Sequence, residues 1–167
     1  PTKRITADDL RKLPKAKVNE LFAHLGPAKV DELQHDWKFW GRDAQFPPTD
    51  NDWNTWLINA GRGFGKTRCG AEWVRQQVKL GHKRIACVAS TNSDIERVMV
   101  KGESGFLSVC WKHDKDNKGK HMGFPEWSPT KRSLTWANGA KVEFYSAEEP
   151  ERLRGPQFSA AWCDELA

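Results

Sequence analysis

The segment from Asn59 to Thr67 reads NAGRGFGKT, and it lies between an apolar stretch and a long amphipathic pattern. Its glycines let consecutive backbone amides turn toward one anion, and a following helix directs its positive N-terminal end at the same point. Lys66 is placed to reach the β- and γ-phosphates of a nucleoside triphosphate, and the Thr67 hydroxyl to ligate Mg²⁺. The segment therefore predicts a phosphate-binding loop, with nucleotide contacts from Gly61, Gly63, Phe64, Gly65, Lys66, Thr67 and Arg68.

This loop departs from the usual pattern G-x-x-x-x-G-K-[ST] at one position, because Ala60 stands where the first glycine is expected. Alanine is the smallest side chain that can replace that glycine. The alternative interpretation is a glycine-rich loop that caps a helix and binds nothing. The order of strand, loop and helix is the one that the motif demands, so nucleotide binding is favoured.

A second feature is the mostly apolar run from Phe158 to Cys163, which lacks proline and glycine and is followed by Asp164 and Glu165. We interpret it as a strand that ends in two acids, a weak signal that gains weight from the phosphate loop upstream. Asp164 would help Thr67 to hold Mg²⁺, and Glu165 would orient and deprotonate the attacking water. The two features together predict an ATP hydrolase that uses ATP and Mg²⁺.

Two arginines are candidates for offsetting the negative charge that develops as the γ-phosphoryl group leaves. Arg62 lies inside the loop and would act within its own subunit. Arg154 precedes the acid-bearing strand and would reach the nucleotide of a neighbouring subunit. For either residue the alternative is a surface salt bridge.

The size and charge of the chain agree with this interpretation. Its 167 residues and 19.1 kDa suit one α/β domain with a core, and its net charge is +5. Residues 41–91 carry eight basic and four acidic side chains, whereas residues 136–167 carry three and six. Charge of opposite sign at the two ends is expected if one end holds phosphate and the other metal, although ordinary surface charge is the alternative.

Cysteines and apolar runs limit the remaining possibilities. The four cysteines, Cys69, Cys87, Cys110 and Cys163, form no C-x-x-C pair, which favours a reducing cytosol. A zinc site at Cys110, His113 and His121 is disfavoured because no fourth ligand is suitably spaced. No apolar run approaches the ~18–20 residues needed to cross a bilayer, and no signal-peptide pattern begins the chain, so we expect a soluble protein without a membrane partner.

The first forty residues predict a helical arm in front of the nucleotide core. A short capped helix is interrupted at Pro14, a second helix is predicted over 15–24, and Gly26-Pro27 predicts a stop and restart. A third helix is predicted with one apolar face formed by Val30, Leu33, Trp37 and Trp40. A connector rich in proline, aspartate and asparagine follows over 41–55.

The nucleotide core begins with a predicted strand, Trp56 to Asn59, that feeds the phosphate loop. A helix is predicted over 66–80 with Gly81 as its stop, and a buried parallel strand over 85–89, which together form a βαβ unit. A further helix is predicted over 94–100.

Two later segments complete the predicted pattern. Residues 112–121 are the most polar stretch, and a solvated loop is favoured there over a DNA-backbone contact. Residues 133–136 and 141–145 alternate around Asn138-Gly139, which predicts a tight hairpin.

An ordered set of motifs over residues 40–167 resembles the ATPase half of the large terminase subunit of tailed bacteriophages. The motifs are WNTWLI at 53–58, GRGFGKT at 61–67, GAEWV at 70–74, GESG at 102–105, SAEEPERLRG at 146–155 and AWCDELA at 161–167. The resemblance implies an α/β fold of the P-loop NTPase class with an additional strand and a catalytic glutamate, its mostly parallel sheet flanked by helices. It implies a helical arm at 1–40 and an ATPase domain from 41 onward.

The same resemblance implies a ring of identical subunits that acts at a portal protein and drives double-stranded DNA into an empty capsid, in the host cytoplasm and transiently on the procapsid. A small terminase subunit is a further implied partner. By the family pattern Arg154 would act in trans, Arg62 would be a catalytic sensor, and Gln45 would contact adenine. The rivals are a helicase-like translocating ATPase and a non-catalytic nucleotide-binding scaffold.

In this family the strand with the coupling motif follows the Asp-Glu strand in sequence but lies between it and the phosphate-loop strand in the sheet. Neither that motif nor a nuclease domain is present before Ala167. We therefore expect the chain to be a fragment truncated after the Asp-Glu strand, with any nuclease activity located in an absent domain.

Overall fold

The computed structural model describes residues 5–50 and 52–165, and the chain divides into two compact units, Pro1–Asn59 and Ala60–Ala167. In the N-terminal unit the Asp9 carboxylate accepts a hydrogen bond of 3.1 Å from the Thr6 amide, which caps the first helix as predicted. The elements of this unit are α1 (Ala7–Arg11), α2 (Lys15–Gln34), α3 (Trp37–Trp40) and a 3-10 turn at Asp43–Gln45.

The long helix α2 is kinked where the sequence predicts a stop and restart. Gly26 has φ 74° and ψ 164°, outside the helical region, and Pro27 begins the next helical stretch. The predicted third helix is wrong in extent, because α2 ends at Gln34 and Trp37 and Trp40 belong to α3. Asp36 causes the break, since its extended backbone and its side chain, which accepts from the Lys38 amide at 2.9 Å, start a new helix.

The C-terminal unit contains the longest regular helix of the core, α4 (Lys66–Leu80), which Gly81 ends with φ 103° as predicted. The predicted helix at 94–100 is instead α5 (Asn92–Asp94), capped by Thr91, running into a π-helical turn at Ile95–Val100. The other elements are β1 (Arg84–Ala89), α6 (Phe106–Val109), β2 (Glu126–Ser128), β3 (Ser133–Thr135), β4 (Lys141–Ser146), a 3-10 turn at Pro150–Leu153 and β5 (Ala160–Cys163).

The five strands form one sheet in the order β2-β3-β4-β1-β5. β1 lies parallel to both β4 and β5, whereas β3 runs antiparallel to β4 and to β2. The sheet is therefore mixed, and the prediction of a mostly parallel sheet is wrong in this respect. The predicted hairpin is the reason, because Gly139 (φ 84°) reverses the chain between β3 and β4.

The strand predicted from Trp56 to Asn59 is wrong. These residues are not assigned to a strand, and the sheet contains no ladder to them among the described residues. A strand needs a hydrogen-bonded neighbour, so an apolar pattern alone does not form one. Leu57 is accordingly 81% exposed.

The core of the C-terminal unit lies between the sheet and the helices that connect its strands. α4 packs on β5 at Gly70, where a Cβ atom would stand 2.0 Å from the Trp162 ring. Only glycine allows this approach. Trp162 in turn packs edge-to-face on Phe106, which is fully buried. The contact sets the distance between the helix that follows the phosphate loop and the strand that precedes the two acids.

Among the described residues, none of the helices is both long and apolar enough to span a bilayer.

Candidate nucleotide site

The predicted phosphate loop has the backbone geometry that its glycines indicate. Gly63 (φ 81°) and Gly65 (φ 91°, ψ 33°) are left-handed, a conformation that costs glycine little and other residues more. Gly65 is the N-cap of α4, and the first intrahelical hydrogen bond runs from the Cys69 amide to the Gly65 carbonyl at 2.9 Å. The amides of the first helical turn, before Cys69, point out of the N-terminal end of α4, where the helix dipole favours an anion.

Lys66 folds back over this loop. Its ammonium donates to the Ala60 carbonyl at 2.8 Å and approaches the Gly61 carbonyl at 3.4 Å. The ammonium thus lies against two carbonyl groups at the start of the loop. A phosphate oxygen would be a stronger partner for the ammonium than these neutral acceptors.

Asp164 is placed by the sheet. Its amide donates to the Val88 carbonyl at 2.8 Å, so the ladder between β5 and β1 continues one residue past Cys163. Burial raises the pKa of the Asp164 carboxyl, and the charge of Glu165 raises it further. The hydrogen bond from Thr67 and the charge of Lys66 lower this pKa, but by less, so the net shift is upward. Of the groups that act on Asp164, Lys66 carries the positive charge, and a divalent cation would add to it.

Thr67 and Asp164 meet at this point. The Thr67 hydroxyl lies 3.4 Å from Oδ2 of Asp164, although 97 positions separate them in sequence. Neighbouring ligands of an octahedral Mg²⁺, with bonds of about 2.1 Å, stand about 3 Å apart. The two oxygens are hard donors at a similar separation, so they fit a magnesium ion with water and phosphate as its other ligands.

Glu165 follows directly and has an unusual backbone. Its φ is 50°, in the left-handed region, and its carbonyl accepts a hydrogen bond of 2.7 Å from the Ser90 hydroxyl. The Glu165 residue is exposed at the end of the sheet where Asp164 lies. A carboxylate at this place can accept a proton from a water molecule on the same side of the site.

The two candidate arginines are both exposed. Arg62 is exposed and makes no ion pair within the described part of the chain. The Arg154 side chain is 80% exposed and pairs with Glu151 at 2.8 Å. Exposed pairs of this kind contribute little to stability, so Arg154 remains available for another partner.

Two other predicted nucleotide contacts are engaged locally. The Arg68 guanidinium donates to Oε1 of Glu72 at 2.8 and 2.9 Å, one turn along α4. Gln45 is 6% exposed, and its side-chain oxygen accepts from the Arg42 amide at 3.0 Å, which holds the 3-10 turn.

A match to a known protein family covers both the glycine-rich loop and the two acids. A family model described as "Terminase large subunit, T4likevirus-type, N-terminal" matches residues 57–167. The chain belongs to this phage terminase large-subunit family. Terminase large subunits act in phage DNA packaging, generally with DNA, portal and small subunit, and as a class they are ATPase and nuclease enzymes. No curated protein and no solved structure matches the chain.

A buried ion network on α4 of this terminase chain was not predicted from the sequence. The Arg75 guanidinium makes two bonds of 2.6 Å to Asp114 and one of 3.0 Å to Glu72, and all three residues are less than 5% exposed. Lys79 pairs with Asp114 at 2.6 Å. Burial alone would lower the pKa of Arg75, but the bonds to Asp114 and the charge of Glu72 raise it above its usual range.

Because Asp114 belongs to this network, the polar segment 112–121 is anchored to α4 rather than wholly solvated. Asn117 strengthens the anchor, since its amides donate to the carbonyls of Lys79 and Leu80 at 2.8 and 2.9 Å. The detectable sequence signal was the helical spacing of Arg68, Glu72 and Arg75, which places alternating charges on one face. The partner Asp114 lies 39 positions from Arg75 and had no local signal.

Among the described residues, no group of three His, Cys, Asp or Glu side chains is arranged to hold a metal ion. Burial raises the pKa of the Cys110 thiol to about 12.

Proposed function

We propose that this chain is the ATPase motor part of a phage terminase large subunit, which hydrolyses ATP to translocate double-stranded DNA into the procapsid. One observation carries the proposal: the Thr67 hydroxyl at the end of the phosphate loop lies against the Asp164 carboxylate at the end of β5. This contact joins a loop suited to phosphate with a pair of acids suited to magnesium and water.

In the proposed site Gly61, Gly63, Phe64, Gly65 and Lys66 surround the phosphates of ATP. Thr67 and Asp164 would hold Mg²⁺, which would supply positive charge to offset that of the phosphates. Arg68 supports the loop from its contact with Glu72. The adenine contact from Gln45 is proposed on the family pattern.

The proposed reaction is the hydrolysis of ATP to ADP and inorganic phosphate. The oxygen of a water molecule forms a bond to the γ-phosphorus, and the bond from that phosphorus to the β-γ bridging oxygen breaks. Glu165 takes a proton from the water, and the electron pair of the broken bond stays on ADP. Arg62 in the same subunit and Arg154 from a neighbouring one would offset the developing charge.

The proposal includes the P-loop NTPase class for the fold, with β5 as the acid-bearing strand. The parallel set β4-β1-β5 and the loop before α4 support it. It also includes a homo-oligomeric ring on the portal, with the small subunit as a partner and the host cytoplasm and procapsid as the place of action. The exposed Arg154 supports a role between subunits.

The experiment is a magnesium-dependent ATPase assay with and without double-stranded DNA, on the wild type and on Glu165→Gln. The variant keeps the size of the side chain and removes the base, so we expect unchanged ATP binding and turnover reduced about 10²–10⁴-fold. Glu126→Gln is the matched control, since Glu126 is an exposed glutamate on β2 and belongs to no part of the proposed site. Wild-type turnover in Glu165→Gln would remove Glu165 from this role.

A further inference from the structure

The ends of three parallel strands are tied together beside the two acids. Beyond β1, the Ser90 hydroxyl donates to the Glu165 carbonyl at 2.7 Å. Beyond β4, the Ala147 amide donates to the Ala89 carbonyl, and beyond β5 the Asp164 amide donates to the Val88 carbonyl, each at 2.8 Å. The first of these three bonds comes from a side chain, so a substitution can remove it without touching the backbone ladder.

This side-chain bond acts on a backbone conformation that glutamate rarely adopts. Glu165 has φ 50°, where a Cβ atom is crowded by the backbone, and such residues persist only where the surroundings hold them. Among the described residues, Ser90 donates the hydrogen bond that the Glu165 carbonyl accepts. If it is lost, the backbone of Glu165 can return to a right-handed or extended conformation, and its carboxylate then points elsewhere.

Ser90 is itself held in place by the neighbouring strand. The Ser146 hydroxyl, 1% exposed, lies 3.2 Å from the Ser90 carbonyl and 3.1 Å from a Glu148 carboxylate oxygen. Since a hydroxyl has one proton, it donates to one of these oxygens at a time. The backbone bond from Ala147 to Ala89 holds the residue before Ser90 on the β4 side, and Ser146 adds to it when it donates to the Ser90 carbonyl.

We propose that Ser90 is a positioning residue that sets the direction of the Glu165 carboxylate through its bond to the Glu165 carbonyl. This inference rests on the proposed function of Glu165 as the base for water. A general base must lie within hydrogen-bond reach of the water it deprotonates, and a shift of about 1 Å can cost about 10²-fold in rate. Ser90 touches neither phosphate nor metal in this proposal, so it affects the hydrolysis step rather than nucleotide binding.

The test compares Ser90→Ala, Ser90→Thr and the matched control Ser93→Ala in the full-length protein. Ser93 is an exposed serine on α5 that contacts neither acid. Three quantities are measured for each: kcat for ATP hydrolysis, the Kd for magnesium ATP, and the melting temperature. We expect Ser90→Ala to lower kcat about 10- to 100-fold with Kd and melting temperature unchanged. Ser90→Thr keeps a hydroxyl and should restore most of the turnover, while Ser93→Ala should match the wild type.

A double variant makes the test specific for Glu165. In a Glu165→Gln background, Ser90→Ala should cause no further loss of kcat, because a positioning residue has nothing left to position. Equal losses in Ser90→Ala and Ser90→Thr, or a loss of affinity and melting temperature together with kcat, would overturn the inference. The inference would also be overturned if Ser90→Ala were as active as an active wild type, and in that case the proposed function stands. An inactive wild type contradicts the proposed function itself, and the inference falls with it.

Discussion

The Thr67 hydroxyl lies 3.4 Å from the Asp164 carboxylate, and this contact brings the start of α4 to the end of β5. Neither the hydroxyl nor the carboxylate would indicate a site by itself. Their contact joins a glycine-rich loop and an acidic strand end, and the proposed cation site depends on it.

The first prediction concerns this contact. Thr67→Val keeps the shape of the side chain and removes the hydroxyl, so we expect the magnesium-dependent part of ATP affinity to fall by at least about tenfold. Thr67→Ser retains the oxygen and is the control. Titration of nucleotide binding with Mg²⁺ measures the effect, and an unchanged magnesium dependence in Thr67→Val would exclude Thr67 as a ligand.

The second prediction concerns the exposed Arg154. If it completes the site of a neighbouring subunit, Arg154→Ala subunits mixed with Glu165→Gln subunits should recover part of the ATPase activity that each lacks alone, because some sites then contain both groups. The measurement is ATPase activity of assembled mixtures across mixing ratios.

The control for this experiment replaces the neighbouring exposed arginine. Arg152 pairs with Glu149 at 3.0 Å on the same 3-10 turn, and Arg152→Ala alone should keep most activity. Mixtures of Arg154→Ala and Glu165→Gln that stay inactive at every ratio would point to a role within one subunit.

The third prediction concerns the packing of α4 on β5. Alanine at Gly70 would favour the helix by up to about 1 kcal/mol on propensity alone. We expect the opposite sign, a loss of about 1–3 kcal/mol in the free energy of unfolding, because the added Cβ stands 2.0 Å from the Trp162 ring. Denaturant unfolding measures it.

Gln76→Ala, at an exposed position of the same helix, is the matched control and should change stability little. Adding Trp162→Phe to Gly70→Ala makes room for the Cβ and should recover part of the loss beyond the sum of the single effects. A Gly70→Ala variant as stable as the wild type would show that α4 and β5 do not meet in this way.

The fourth prediction concerns the buried Asp114. Asp114→Asn removes the countercharge of the buried Arg75, and we expect a loss of about 3–5 kcal/mol in the free energy of unfolding. Asp116→Asn in the same loop is the control, since Asp116 is partly exposed and accepts from the amides of Lys118 and Lys120. Its loss should be much smaller.

The same aspartate makes part of the stability depend on pH. Burial alone would raise the pKa of Asp114, but hydrogen bonds from Arg75 and Lys79 outweigh it and hold the pKa below its ordinary value of 3.8. The unfolded chain then takes up the proton first, so this contribution is present above pH 3.8 and is lost as pH falls through the lower folded pKa. The stability difference between wild type and Asp114→Asn should therefore narrow below that pH, and a constant difference would contradict the assignment.

The sequence predicted the elements whose signals are local. The helix at 66–80 with its glycine stop, the buried strand near 85–89 and the hairpin at Asn138-Gly139 are confirmed. Each depends on residues close in the chain: left-handed glycines, a short apolar run or alternation around a turn. The strand at Trp56–Asn59 and the mostly parallel sheet are wrong, because strand pairing depends on partners distant in sequence.

For the proposed site, the residue types by themselves predicted the chemistry: amides and an ammonium for phosphate, a hydroxyl and a carboxylate for magnesium, and a second carboxylate for water. Only the tertiary structure decided that Thr67 meets Asp164, that Gly70 admits Trp162, that Ser90 holds Glu165 and that Arg75 reaches Asp114. The physical reason is that each contact joins segments separated by tens of residues. The sheet and the packing of α4 bring these segments together, and no local propensity encodes the distance between them in space.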